Sequence, residues 1–217
     1  MTTTPLNARP SEPMVHLVDD ETPVRDALTF LFQSHGLAVR AYASGPEFLD
    51  AADEAPLAGC ILLDVRMEPM SGLQVHDALV ARGSGVPVLF LTGHGDIPMA
   101  VEALKKGAFD FVEKPSGDAA LVERVTRALA VDAARQAADS KDEETAARLA
   151  SLSDREREVM QRVAAGKLNK VIADELCISV RTVEVHRARV FGKLGVRSAA
   201  EVATLLARGR PARIVMT

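Results

Sequence analysis

The sequence predicts a five-stranded, doubly wound parallel α/β domain followed by an all-α domain of four helices. Three observations carry this. Short apolar runs alternate with helical periodicity five times between residues 14 and 130. From Leu152 onward only short helical patterns remain, opened by a capping signal. The charge balance also changes sign: residues 1–130 carry 10 Lys/Arg against 18 Asp/Glu (−8), residues 131–150 carry 3 against 5 (−2), and residues 151–217 carry 13 against 7 (+6).

After a polar, proline-bearing leader (residues 1–13), Met14 to Val18 reads as a first strand ending in Asp19-Asp20. Pro23 suits a helix start, and Val24, Ala27, Leu28, Leu31 and Phe32 recur at helical spacing until Gly36. A second strand, Ala38 to Ala43, leads to a short helix from Gly45 to Ala52. Cys60-Ile61-Leu62-Leu63 runs straight into Asp64, as in a strand buried on both faces. A helix from Leu73 to Ala81, a strand from Val86 to Thr92 and a helix from Pro98 to Lys106 follow. The fifth strand, Phe109 to Val112, ends in Glu113-Lys114-Pro115, and a last helix runs from Asp118 to Ala130. Residues 131–150, rich in Ala and charge without Gly or Pro, read as a linker: a solvated helix, with a disordered tether as the alternative.

The second domain spans residues 151–209, before a tail at 210–217. Ser153 and Glu156 form an S-x-x-E capping box for a helix that ends at Gly166. Asn169 is placed to cap a second helix through Leu176. Cys177-Ile178-Ser179 makes a turn into a third helix, Val180 to Leu194, and a fourth runs from Ala199 to Ala207. Two helices joined by a tight turn, the later one carrying Arg181, Thr182, His186, Arg187 and Arg189, have the geometry of a helix-turn-helix reader. The bland alternative is a protein-docking module with a solvated basic face.

Composition narrows the function classes. Hydrophobic residues make up 47% of the 217, ample for packed cores, yet no apolar run reaches the roughly 18 residues a membrane span needs. The first residues lack the apolar segment of a secretory signal. Cys60 and Cys177 are isolated and lie in apolar patterns, which argues against a disulfide or cysteine–metal site and for a reducing cytoplasm.

Chemistry gathers where open α/β sheets place it, at the carboxyl ends of the strands. Those ends offer Asp19 and Asp20, Asp64, Thr92 and Lys114, and only the second strand offers nothing polar. Each alone is an ordinary cap or turn residue; four strand ends out of five carrying parts of one site are not. Three converging carboxylates repel and need protons or a cation. Oxygen ligands favour Mg²⁺, with Mn²⁺ the alternative, while Lys114 and Thr92 add a positive charge and a hydroxyl. This combination suits phosphoryl transfer onto Asp64. The absence of a GxxxxGK[ST] loop argues against ATP as direct donor.

With these residues in place, 14–130 resembles a response-regulator receiver domain of flavodoxin-like fold, and the segment Leu91 to Ala103 is similar to the FixJ branch. The resemblance implies that Asp64 accepts phosphate from a cognate histidine kinase. It implies Mg²⁺ held by Asp20, Asp64 and the Arg66 carbonyl, with Asp19 acting nearby through water. Thr92 and Lys114 would bind phosphoryl oxygens, Lys114-Pro115 would be a cis bond, and Phe111 matches the switch aromatic. One position departs: the family reads D-x-R-M-P-x-M-S-G, whereas Glu68 stands here before Pro69. Residues 151–209 resemble the LuxR-type helix-turn-helix of the NarL/FixJ family, through Leu152-Ser153-x-Arg155-Glu156, Asn169-Lys170-x-Ile172-Ala173 and Thr182 to His186. By that likeness Lys170, Thr182 and Arg187 meet phosphates of promoter DNA, while Glu184, Val185 and Arg189 lie nearest base edges, with Arg181 on the same helix. The implied whole is a cytoplasmic, non-enzymatic transcription factor that dimerises on phosphorylation and works with RNA polymerase. Two rivals are a phosphorylation-independent regulator with a scaffold receiver, and a haloacid-dehalogenase-type phosphatase. The latter's D-x-D motif is missing after the first strand.

Overall fold

The computed structural model describes residues 13–93, 97–114 and 117–208. They form two compact units divided between Gln136 and Ala137.

In the first unit, β1 (Met14–Val18), β2 (Val39–Tyr42), β3 (Gly59–Asp64), β4 (Val88–Thr92) and β5 (Asp110–Glu113) make one parallel sheet in the order β2-β1-β3-β4-β5. The helices between them are α1 (Thr22–Ser34), α2 (Gly45–Glu54), α3 (Gly72–Ala81), α4 (Ile97–Lys105) and the 33-residue α5 (Asp118–Ala150). Parallel pairing forces a crossover after every strand, so both faces of the sheet are covered. All six residues of β3 are buried, as its unbroken apolar run requires. Ile61 and Leu63 point into a core built with Phe48 and Leu49 of α2, Val75 and Leu79 of α3, and Ala103 of α4. Cys60 and Leu62 point the other way, against Phe32 of α1 and Leu121, Val125 and Ala128 of α5.

Four strands differ from expectation at their ends: β2 is one residue shorter at each end and β3 begins one residue earlier, at Gly59. β4 begins at Val88 rather than Val86, because Pro87 has no N–H to give the ladder, although its carbonyl still accepts from Ile61 at 2.9 Å. β5 is shifted one residue along, to Asp110–Glu113. Asp132, in the stretch whose composition reads as solvated, is fully buried. One of its oxygens accepts the Gly59 N–H at 2.7 Å and the other the Arg135 guanidinium at 2.6 Å. Gly59 has φ of +111°, and a Cβ there would sit 2.0 Å from the Met14 carbonyl oxygen, so only glycine fits. This pins α5 to the start of β3.

The second unit holds the end of α5 and α6 (Asp154–Ala164), α7 (Asn169–Leu176), α8 (Val180–Leu194) and α9 (Ala199–Arg208). Val159, Val163, Ile172, Ala173, Leu176 and Val183 form one apolar cluster, and Leu152, Met160, Val190, Leu194 and Val202 a second. The Ser153–Glu156 capping box is present in both directions. Its carboxylate has a further partner, Lys193 of α8, at 2.6 Å. Asn169 does not cap α7: Leu168 occupies the N-cap position, without a side-chain bond, and the Asn169 side chain is engaged elsewhere. Among the described residues no helix is long and apolar enough to cross a membrane.

The Glu156 carboxyl is drawn down to about 2 by Lys193 and by the Ser153 N–H. A depressed carboxyl stabilises the fold above its unfolded value, near 4.5, and loses that contribution as pH falls toward about 2. Glu156→Gln is expected to cost about 1 kcal/mol at pH 7. Thermal melts by circular dichroism of variant and wild type should converge as the pH is lowered through this window.

Candidate functional site

Sheet order puts β1, β3, β4 and β5 side by side, with β2, whose end is apolar, on the outside. Val18 pairs with Leu63, Asp64 with Leu91 and Thr92 with Glu113, so the residues at and just beyond these positions gather on one edge.

At that edge Lys114 lies between two carboxylates. Its Nζ donates to Asp19 Oδ2 at 2.8 Å and to Asp64 Oδ1 at 2.7 Å. Asp19 is fully buried and Asp64 only 7% exposed. Each carboxylate has a backbone donor for its other oxygen: Glu21 N–H reaches Asp19 Oδ1 at 2.9 Å, and Arg66 N–H reaches Asp64 Oδ2 at 2.7 Å. Lys114 is aimed by its own backbone, whose N–H donates to the Thr92 carbonyl at 2.6 Å. Thr92 is buried at the end of β4, and Asp20 is exposed beside Asp19.

The charges are strained by burial. Burial pushes the Asp64 carboxyl above the usual carboxylate range; Lys114 and the Arg66 N–H oppose the rise without cancelling it, and Asp19 adds repulsion. Burial also opposes the charge on Lys114, but its two carboxylate partners outweigh this and hold its pKa above the usual lysine range. Two carboxylates against one ammonium leave a net negative charge, with Asp20 adding to it. Among the described residues no three His, Cys, Asp or Glu side chains stand close enough to enclose a metal. Carboxylate and backbone oxygens, without sulfur or imidazole, fit a hard ion that keeps several waters.

The β3–α3 loop holds Asp64 in place. Val65 and Met67 are buried, whereas Arg66, Glu68 and Pro69 are exposed. The Gly72 N–H donates to the Val65 carbonyl at 3.1 Å, and a Cβ on Gly72 would lie 2.1 Å from the Asp64 carbonyl oxygen. Ser71 caps α3 in a capping box with Gln74. The cis peptide observed is Glu68–Pro69; the bond expected at Lys114–Pro115, like His94 to Asp96 of the FixJ-like segment, involves residues outside those described. Phe111 is half-buried on β5, its ring centroid 6.1 Å from that of buried Phe90.

Residues 15–126 match the family described as "Response regulator receiver domain", and residues 150–206 that described as "Bacterial regulatory proteins, luxR family". The chain belongs to the NarL/FixJ family of response regulators. It is 53% identical over 195 residues to the C4-dicarboxylate transport transcriptional regulatory protein DctR of Rhodobacter capsulatus, covering 88% of this chain and 98% of that one. It is 46% identical over 201 residues to the transcriptional regulatory protein FixJ of Azorhizobium caulinodans, covering 91% and 94%. Of solved structures, the response regulator StyR superposes with a TM-score of 0.84 at 38% identity, covering 90% of this chain and 98% of that one. Full-length FixJ from B. japonicum gives 0.57 at 39%, covering 92% and 98%. A regulator of transcription with a receiver and a LuxR-type DNA-binding domain, rather than an enzyme, is the activity this family membership establishes.

On the response regulator's second unit, Lys170 of α7 and Arg181, Glu184, Val185 and Arg189 of α8 are exposed, while Thr182 and Arg187 are half-buried. Ser179 caps α8, its Oγ accepting the Thr182 N–H at 3.1 Å and lying 2.8 Å from Thr182 Oγ1. Arg187 donates to Asn169 Oδ1 at 3.0 Å and stacks on Phe191. The sequence did not disclose these last ties, nor the Arg25 guanidinium that donates to the Asp19 carbonyl at 2.7 Å. Arg187 meets an asparagine eighteen residues away and Arg25 a carbonyl turned toward it by a helix start, and no local pattern marks either; the Arg187–Phe191 pair does have the i,i+4 spacing of helix neighbours.

Lys114→Met removes the cation from between two carboxylates and is expected to lower unfolding stability by about 2 kcal/mol in chelator. Asp19→Asn in the same chain should restore part of the loss. Urea unfolding followed by circular dichroism measures both.

Proposed function

We propose that this response regulator is switched by phosphorylation of Asp64. A carboxylate oxygen of Asp64 attacks phosphorus, the bond to the imidazole nitrogen of a cognate kinase's phosphohistidine breaks, and an acyl phosphate forms while the electron pair leaves with the histidine. The observation that carries this reading is the placing of Asp64. It is nearly buried at the carboxyl end of the central strand, with one oxygen on Lys114 and the other on a backbone N–H. Burial raises its energy as a free carboxylate, and the negative charge that phosphorylation adds is met by Lys114 and a bound cation.

Asp20, Asp64 and the Arg66 carbonyl hold Mg²⁺, or Mn²⁺ in its place, and Asp19 acts nearby through water. The bound cation supplies neutralisation of phosphoryl charge. Lys114 exchanges its Asp64 contact for a phosphoryl oxygen, and the Thr92 hydroxyl binds another. Movement of Thr92 draws Phe111 along β5, shifting the receiver between two populations and favouring a homodimer. Phosphates are met by Lys170, Thr182 and Arg187, and base edges by Glu184, Val185 and Arg189, with Arg181 on the same DNA-facing helix. The protein then acts in the cytoplasm at promoters, with RNA polymerase as a further partner.

Acetyl phosphate with Mg²⁺ is expected to add one phosphoryl group to the intact protein by mass spectrometry, to shift it toward dimer, and to tighten promoter binding. Asp64→Asn should abolish all three, and chelation of divalent cations should abolish the first. An Asp64→Ala protein fully active in a reporter strain would instead support the phosphorylation-independent regulator.

A further inference from the structure

Asn169 stands where sequence logic wants a helix cap, yet it caps nothing. The N-cap of α7 is Leu168, 74% exposed and without a side-chain bond, and Asn169 is the first helical residue. Its side-chain oxygen instead accepts Nη1–H of Arg187, eighteen residues on, at 3.0 Å. Arg187 is fixed from a second side by Phe191, whose ring centroid lies 5.2 Å from the guanidinium carbon. A cavity of about 490 Å³ opens beside the pair, lined by Lys167, Leu168, Asn169 and Arg187 among others. Asn169 is the one hydrogen-bond acceptor on Arg187 among the described residues, so the guanidinium keeps donors to spare.

An arginine side chain free in solvent must give up rotamer freedom when it grips an anion, at a cost of about 0.5–1.5 kcal/mol. Arg187 has given it up already. A neutral amide can do this where a carboxylate would compete: aspartate would hold the guanidinium as firmly but would repel an approaching phosphate. We propose that Asn169 is a positioning residue for DNA binding, holding Arg187 in a fixed pose for a backbone phosphate. The inference rests on the DNA-binding reading above and deepens it. Asn169 acts through Arg187 and carries no sequence preference of its own.

The test is a double-mutant cycle in the full-length protein, with Asn169→Ala, Arg187→Gln and the pair, titrated against a mixed-sequence DNA duplex at several salt concentrations. Arg187→Gln is expected to lower the slope of log affinity against log salt by about 0.9, the loss of one phosphate contact. Asn169→Ala is expected to weaken binding about threefold to tenfold, the cost of ordering one long side chain, and to have no further effect once Arg187 is glutamine. Its melting temperature should fall no further than that of Arg187→Gln, because both variants lose the same hydrogen bond between α7 and α8. An Asn169→Ala loss of the same size in the Arg187→Gln background, or a melting temperature for Asn169→Ala below that of Arg187→Gln, would overturn the proposal in favour of a structural role for Asn169. An unchanged salt slope for Arg187→Gln would also overturn it while leaving the regulator reading intact. Failure of the wild type to bind any duplex would sink the DNA-binding reading itself.

Discussion

Two carboxylates buried at one edge of a sheet set the terms for the first unit. Asp19 and Asp64 would repel each other in a low-dielectric setting, and Lys114 is the group that holds them together. Strand order serves that arrangement: because the sheet is parallel, the neighbouring strands β1, β3, β4 and β5 all end on the same edge. Backbone N–H groups of Glu21 and Arg66 complete the carboxylate shells. The arrangement is satisfied but electrostatically costly, which suits a group whose charge is to be changed by reaction.

Much of this was legible in the sequence for a definite reason. A strand buried on both faces has to be an apolar run, so the polar residue that ends it stands out; Asp64 after Cys60-Ile61-Leu62-Leu63 is the clearest instance. Element types followed from periodicity, and the family fold and its two domains are as expected. Boundaries were less legible where backbone chemistry intervened, as at Pro87. Interactions between residues far apart were legible only where the ends of parallel strands bring them together, as for Lys114 with Asp19 and Asp64. Asp132 looked like one more charge on a solvated helix, yet it satisfies the N–H of a glycine seventy-three positions earlier. Lys193 on Glu156 and Arg187 on Asn169 escaped for the same reason. Local pattern reports what a residue could do, and only the fold reports which partner arrives.

The second unit divides its polar groups between holding and presenting. Ser153, Glu156 and Lys193 tie the start of α6 to α8, and Ser179 starts α8 itself. Arg155 gives one arm to Glu158 and the other to the Leu176 carbonyl, so a basic residue that composition alone would assign to a DNA face closes the end of α7. Net positive charge is thus a poor guide to which arginines are available. Cys177, the one described non-glycine residue with positive φ (+52°), makes the turn between α7 and α8. Its conformation is one that L-residues tolerate at a cost.

The loop after β3 alternates between inward and outward residues: Val65 and Met67 are packed, Arg66 and Glu68 face solvent, and Gly72 lies against the Asp64 carbonyl with no room for a side chain. The departure from the family's pattern falls on an outward position. A chain built this way can diverge in its dealings with partners and still keep its chemistry. Charge can be gained or lost at the rim over evolutionary time while the inward anchors and the glycine keep the reacting group where it was. Variation among relatives is then expected at outward positions such as 68, and position 72 is closed to it.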